Sequence, residues 1–222
     1  MSGPPIMTTS RLEAFSDGVF AIAMTLLVLD LKVPPAAPDG PPLWPALLHQ
    51  WPAYLAFVTS FATIGIMWIN HHLNFTLIRR TDHTLLVLNG LLLLGVTFLP
   101  FPTGLVAAHY GHPGERVATA VYAGTFVFIA VIWNFLWRYA IQGGRLLAPE
   151  ADPRLVETIT RAYRPAVLWY LAAFAIAFVH APASLTIIVA LAVYFALPDL
   201  YQRWFGRRHE SARAAAKPPF GA

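Results

Sequence analysis

The side chains able to do chemistry fall into two clusters. Arg11, Glu13, Ser16 and Asp17 form one, and Asn70, His71, His72 and Asn74 the other. Carboxylates beside imidazoles can relay protons, act as acid and base, or ligate a metal. The metal reading fits poorly, because neighbouring residues on a helix point about 100° apart, so His71 and His72 cannot easily share an ion with Asp17. With 0 Cys in the chain, disulfides, thiolate sites and cysteine nucleophiles are excluded. No nucleophile or ligand spacing points to an enzyme, and no cofactor is expected. What the clusters suit best is hydrogen bonding between helices, which contributes about 0.6 kcal/mol per bond at membrane depth.

Composition says what must carry these residues. The chain has 222 residues, 57% hydrophobic and only 12% charged, with mean hydropathy +0.57. A soluble domain carries about 25% charged residues. Apolar segments run over Phe15–Leu31, Trp51–Ile78, Thr84–Tyr110, Val117–Ile141, Pro165–Val179 and Ser184–Phe205. Spanning takes about 20 residues. The first segment must therefore borrow its polar N-terminal turns, and the fifth must start before Pro165. The expected fold is an all-α integral membrane protein with six spans over 1–205, followed by a basic, disordered tail over 206–222.

Lys and Arg placement supports that count. With the N-terminus cytoplasmic, all of the 15 basic residues except Lys32 and Arg116 fall on inside segments. Both termini are then cytoplasmic. The pI of about 9.6 reads as orientation and headgroup contact, with no nucleic-acid partner. A cleavable signal peptide is not expected, since Met1–Ser10 has no basic start and Asp17 interrupts any early apolar run.

Local signals divide the chain further. Ser10 and Glu13 have capping-box spacing, so helix one should start near Arg11 with Ser10 as its N-cap. It should end near Leu31, before Pro34 and Pro35. The proline-rich stretch from Val33 to Gln50 reads as an extended external loop, and Pro52 suits the first turn of helix two. Pro100 and Pro102 should kink or end the third span. Gly143, Gly144 and Pro149 argue for a broken connection over Gln142–Arg164. Asp82 and His83 read as solvated residues of a short inside loop. Asn89 lies at a depth similar to the two clusters.

Helix one carries one more pattern. Ile22, Leu26 and Leu29 recur at i, i+4 and i+7, with Thr25 on the same stripe and Asp30 just beyond. Immediately before it, Arg11-Leu12-Glu13-Ala14-Phe15-Ser16-Asp17 resembles the R-x-x-x-F-S-D signature of the transmembrane protein 175 family of potassium channels. Trp68-Ile69-Asn70-His71-His72 is similar to that family's second helix. The likeness is close over helices one to three and rests mainly on hydropathy over four to six.

The resemblance implies a six-helix bacterial subunit with one repeat, assembled as a homotetramer in the plasma membrane and conducting potassium ions. It implies that helix one lines a central pore, with Ile22, Leu26 and Leu29 as apolar constrictions and Thr25 as a selectivity layer. It also implies that Arg11, Phe15, Ser16, Asp17, Trp68, Asn70, His71, His72 and Asn89 knit helix one to its neighbours. Asp30 could form an acidic ring at the mouth, or simply face headgroups. The rival reading is a proton-coupled secondary transporter using His71, His72 and Asp17, although repeated halves and broken mid-membrane helices are not evident.

Overall fold

A computed structural model describes residues 7–35 and 42–196, and the regular structure among these residues is helical apart from two short strands. The helices are α1 (Ser10–Leu26), α2 (Leu43–His49), α3 (Trp51–Leu77), α4 (His83–Phe98) and α5 (Pro100–His109), then α6 (Glu115–Ile141), α7 (Pro153–Tyr163), α8 (Ala166–Ala177) and α9 (Ala181–Ala196). Among the described residues, four stretches are long and apolar enough to cross a membrane: Ser10–Asp30, Trp51–Leu77, His83–His109 and Glu115–Gly144. Helix α8 is apolar but shorter, at 12 residues, and the described part of α9 covers 16 apolar residues. The features expected over 197–222, the end of the sixth apolar segment and the basic tail, lie outside the described residues.

Helix α6 is the centre of the bundle. Small residues (Ala118, Ala123, Ala130, Ala140) and large aromatics (Tyr122, Phe126, Trp133, Trp137) alternate along its buried surface, letting α4, α5, α8 and α9 pack on it. Without a hydrophobic drive between helices in lipid, this close packing is a main source of association. Helix α1 packs on α3 and α4, and its last turn, a 3₁₀ segment over Leu27–Asp30, meets α3 and α5.

Proline acts as expected in the third apolar segment. Pro100 lacks the N–H that would bond Val96, and the Leu99 N–H bonds the Val96 carbonyl instead at 3.2 Å. The result separates α4 from α5 at Leu99 while keeping Leu99 itself helical.

Four local expectations need correction. The N-cap of α1 is Thr9, not Ser10: the Glu13 side chain accepts from the Thr9 hydroxyl, while Ser10 is the first helical residue and exposed. The Val33–Gln50 stretch is not wholly extended, because α2 occupies Leu43–His49 once Pro42 and Pro45 fall at its start and first turn. The connection after α6 breaks at Gly143 and Gly144, both at φ 67°, yet its second half folds as α7. Helix α7 is amphipathic: Leu155, Val156 and Ile159 pack on the core and Arg154 and Glu157 face outward. The fifth apolar segment thus does not extend backward through Pro165 as one helix.

The fourth correction concerns Asp82, which is buried at 5% exposure instead of solvated. It caps α4 by accepting from the Leu85 amide at 3.0 Å, and its other oxygen accepts from the Tyr139 hydroxyl at 2.7 Å and from Arg145 at 2.9 Å. Arg145 also bonds Tyr139. This clasp sits where three chain segments meet. Met7–Thr8 pairs antiparallel with Arg80–Thr81, and Ile78 bridges Leu147, with Ala148 N–H donating to Leu77 O at 2.8 Å. His83 is exposed, as expected.

Burial alone would push the Asp82 carboxyl up, but the Leu85 amide, the Tyr139 hydroxyl and the Arg145 guanidinium outweigh it and hold it below the usual carboxylate range. A depressed folded-state value adds stability that is complete above the unfolded value and is lost as pH falls through the folded one. Thermal unfolding in detergent should therefore be insensitive to Asp82 titration at neutral pH and weaken under strong acid. Asp82→Asn should lower the midpoint at neutral pH and remove its share of the acid-side decline. An unchanged acid limb in that variant would show that the clasp does not couple to folding.

Candidate functional site

The two polar clusters do meet, through Asn89. On α3 His71 is buried, held between Phe20 of α1 and Phe75, with ring centroids 5.4 and 4.5 Å away. Its Nε2 lies 2.9 Å from Asn89 Oδ1 on α4, and a carbonyl oxygen can only accept, so the imidazole donates. Asn89 Nδ2 donates to Ser16 Oγ on α1 at 3.0 Å, and Ser16 passes its own proton to the Leu12 carbonyl at 2.8 Å. Ser16 and Asn89 are both fully buried. One amide thus joins three helices.

The other signature residues have separate partners. Asp17 accepts from Trp68 Nε1 at 2.8 Å, on the exposed side of the α1–α3 contact. His72 is exposed and stacks on Trp68. Asn70 Nδ2 donates to the Ile66 and Phe195 carbonyls at 2.9 and 3.1 Å, tying α3 to α9. Asn74 accepts from the Tyr163 hydroxyl at 3.1 Å, tying α3 to α7. Arg11 and Phe15 are exposed, Phe15 at 63%. Asp17 and His71 do not share a hydrogen bond, and among the described residues no group of His, Cys, Asp or Glu could hold a metal ion.

Helix α1 divides cleanly. Leu12, Ser16, Phe20, Ala23 and Leu27 face the bundle and are buried. On the opposite side Ile22 is 58% exposed, Leu26 37% and Leu29 65%, with Thr25 exposed between them. The 3₁₀ turn, at about 3.0 residues per turn, rotates the end of the stripe and uncovers Val28 as well. Thr25 donates its hydroxyl proton to the Ile22 carbonyl at 2.9 Å. Its oxygen lone pairs are left for an outside partner. Asp30 lies partly off this stripe: its carboxylate rests so closely on Gly104 of α5 that an added Cβ there would sit 2.8 Å from Oδ1.

Sequence reasoning missed Thr9, Tyr139, Arg145 and Tyr163 as members of these networks. Only Asp82 left a signal, since an Asp three residues before Leu85 at the start of an apolar run has N-cap spacing. Thr9 lies only four residues before Glu13, whereas Tyr139 and Arg145 are distant in sequence from Asp82, and Tyr163 from Asn74.

The structure is thus an all-helical membrane bundle whose first helix is bolted by one face and bare along the other. Residues 11–100 match the family described as endosomal/lysosomal potassium channel TMEM175. The chain is 51% identical over 198 residues to a potassium channel of Chamaesiphon minutus, covering 89% of this chain and 98% of that one. It is 43% identical over 189 residues to a potassium channel of Streptomyces collinus, covering 84% and 91%. Its fold is similar to the crystal structure of a lysosomal potassium-selective channel TMEM175 homolog from Chamaesiphon minutus, with TM-score 0.76 and 49% identity over 85% of this chain and 96% of that chain. The chain belongs to the TMEM175 family.

The network makes an ordered prediction about stability. Asn89→Ala leaves the His71 N–H without an acceptor at membrane depth, which costs about 1–3 kcal/mol. Ser16→Ala should cost less, because it removes only the acceptor of Asn89 Nδ2 and keeps the His71–Asn89 bond, whereas Asn89→Ala removes both interhelical bonds. Chemical or thermal unfolding in detergent should rank the two in that order. Equal losses would mean that Asn89 is not the hub.

Proposed function

We propose that this protein is a potassium channel of a bacterial plasma membrane, formed by four copies around a pore lined by α1. The observation that carries this reading is the bare stripe of Ile22, Thr25, Leu26 and Leu29 opposite the buried face of the same helix. A single helix cannot enclose a path, and closed cyclic symmetry is the usual way to complete a ring. The kinship with potassium channels of Chamaesiphon and Streptomyces supports the ion. Six spans per subunit, with both ends cytoplasmic, agree with the basic-residue pattern; α8 and α9 would then supply the fifth and sixth.

In this arrangement four Ile22 side chains form an apolar ring that expels water when narrow and so opposes ion passage. The next turn supplies Thr25, whose proton is already committed to the Ile22 carbonyl. Four hydroxyl oxygens would thus face the axis as acceptors, the orientation a partly dehydrated cation needs. Leu26 and Leu29 continue the apolar lining over about 10 Å. Asp30, leaning on α5, is one step from the axis-facing stripe and could draw cations to the mouth only by its field.

The transporter reading needs a proton path through His71, His72 and Asp17. His71 is tied to Asn89, and Asp17 to Trp68, with His72 exposed outside both bonds. These contacts suit the mechanical role of holding α1 in place, which leaves its other face for permeation. Membership of a channel family likewise gives no support for an enzyme.

Two measurements test the proposal. Cross-linking in mild detergent should give four copies, and a stable monomer that still conducts would remove the ring. In planar bilayers Ile22→Asn should raise potassium conductance several-fold, because an amide of similar size keeps water in the constriction. Leu26→Asn and Leu29→Asn should act in the same direction but less strongly. Leu168→Asn, on the exposed face of α8, serves as the control that leaves permeation unchanged. Parent-like conductance from a tetrameric Ile22→Asn protein would place the gate elsewhere.

A further inference from the structure

At the end of the bundle opposite Asn89, a cavity of about 340 Å³ opens between α3 and α9, backed by α5 and α6. That volume is within the range of small-molecule sites, roughly 300–1,000 Å³. Its walls are apolar, with Leu55, Val106, Leu185 and Val189 among them, and none of the described lining residues is charged. Trp51 and Tyr110 stand at one side with rings edge to face, 5.0 Å apart. Helices α3 and α9 are held together at the other end by Asn70 and Phe195, so the gap between them lies over their far halves.

The floor is a chain of buried hydroxyls. Thr103 donates to the Leu99 carbonyl at 2.8 Å, so in its 2.9 Å contact with Ser60 it must accept. Ser60 has then used its only proton, and Tyr122, 3.0 Å away, donates to Ser60. Ser60 and Thr103 are 2% exposed and Tyr122 6%. Along the walls Thr59 and Thr186 send their protons back to the Leu55 and Pro182 carbonyls, at 2.7 and 2.8 Å. Each of these five hydroxyls has its proton engaged and retains acceptor capacity.

We propose that this cavity is a binding site for a small neutral amphiphile carrying one hydroxyl donor, an alcohol or phenol. Charged ligands are disfavoured because nothing in the lining would pair with them in an apolar setting. A pure hydrocarbon would fill the walls but leave the oxygen floor without a donor. An ether of the same shape would bring only another acceptor. A hydroxyl satisfies both surfaces, with its tail along Leu55 and Val189 and its proton on the floor. This inference does not depend on the channel reading, since it concerns binding alone.

The test is photolabelling of the full-length protein in detergent with a diazirine-bearing octanol, followed by mass spectrometry. Labelling should be saturable and concentrated on Leu55, Leu185 and Val189. Unlabelled octanol should compete at about five-fold lower concentration than octyl methyl ether, the ratio that one ordinary hydrogen bond gives. Val189→Trp, at a position already 41% exposed, should plug the cavity and abolish the label. Labelling spread evenly over outward residues such as Leu168 and Val179 would overturn the site. Equal competition by the ether would overturn the hydroxyl recognition. Both arms use the parent chain, so the outcome is decided even where Val189→Trp does not fold.

Discussion

Asn89 carries the arrangement of the first three apolar segments. In lipid an amide cannot find water, so its oxygen and nitrogen must each meet a partner within the bundle. Here the oxygen takes His71 of α3 and the nitrogen takes Ser16 of α1. Because the three residues are short or ring-shaped and fully enclosed, their bonds fix both depth and rotation of the helices. Phe20 and Phe75 pack against the His71 ring.

The rotation of α1 follows from this one constraint. Once Ser16 points at Asn89, helical geometry sends Leu12, Phe20, Ala23 and Leu27 toward the bundle. Ile22, Thr25 and Leu29 are then left on the free side, whatever their own preferences. Asp17 and Trp68 add a second bond at the edge of the same contact. The stripe proposed to line a pore is therefore the complement of a buried face set by hydrogen bonds.

The end of the bundle near the start of α1 is fastened by different means. Backbone pairing joins the segments around residues 7–8, 78–81 and 146–148, and the Asp82–Tyr139–Arg145 clasp closes over them. A charged clasp suits this place because Asp82 and Arg145 lie just outside the candidate spans, where water can share the cost of the Arg145 charge. Inside the spans the same task falls to neutral groups: Asn70 to α9, Asn74 to Tyr163, and the hydroxyls of Ser60, Thr103 and Tyr122. The division follows the price of desolvating charge.

The sequence by itself determined the solvent in which this chain folds, its all-helical character, the break at Pro100 and the two polar clusters from which the partners of α1 are drawn. These are legible because apolar length, proline and the position of a polar group in an apolar run act within one helix. The resemblance in Arg11–Asp17 and Trp68–His72 added the family. Tertiary structure alone decided that Thr9 and not Ser10 caps α1, that Asp82 is clasped by residues far along the chain, and that α7 folds separately from α8. It alone paired His71 with Asn89 and Asp17 with Trp68, where the sequence offered both clusters without saying which bonds form. Partner choice depends on helix rotation and depth to within a hydrogen-bond length, and those are set jointly by every packed face, not by any one helix.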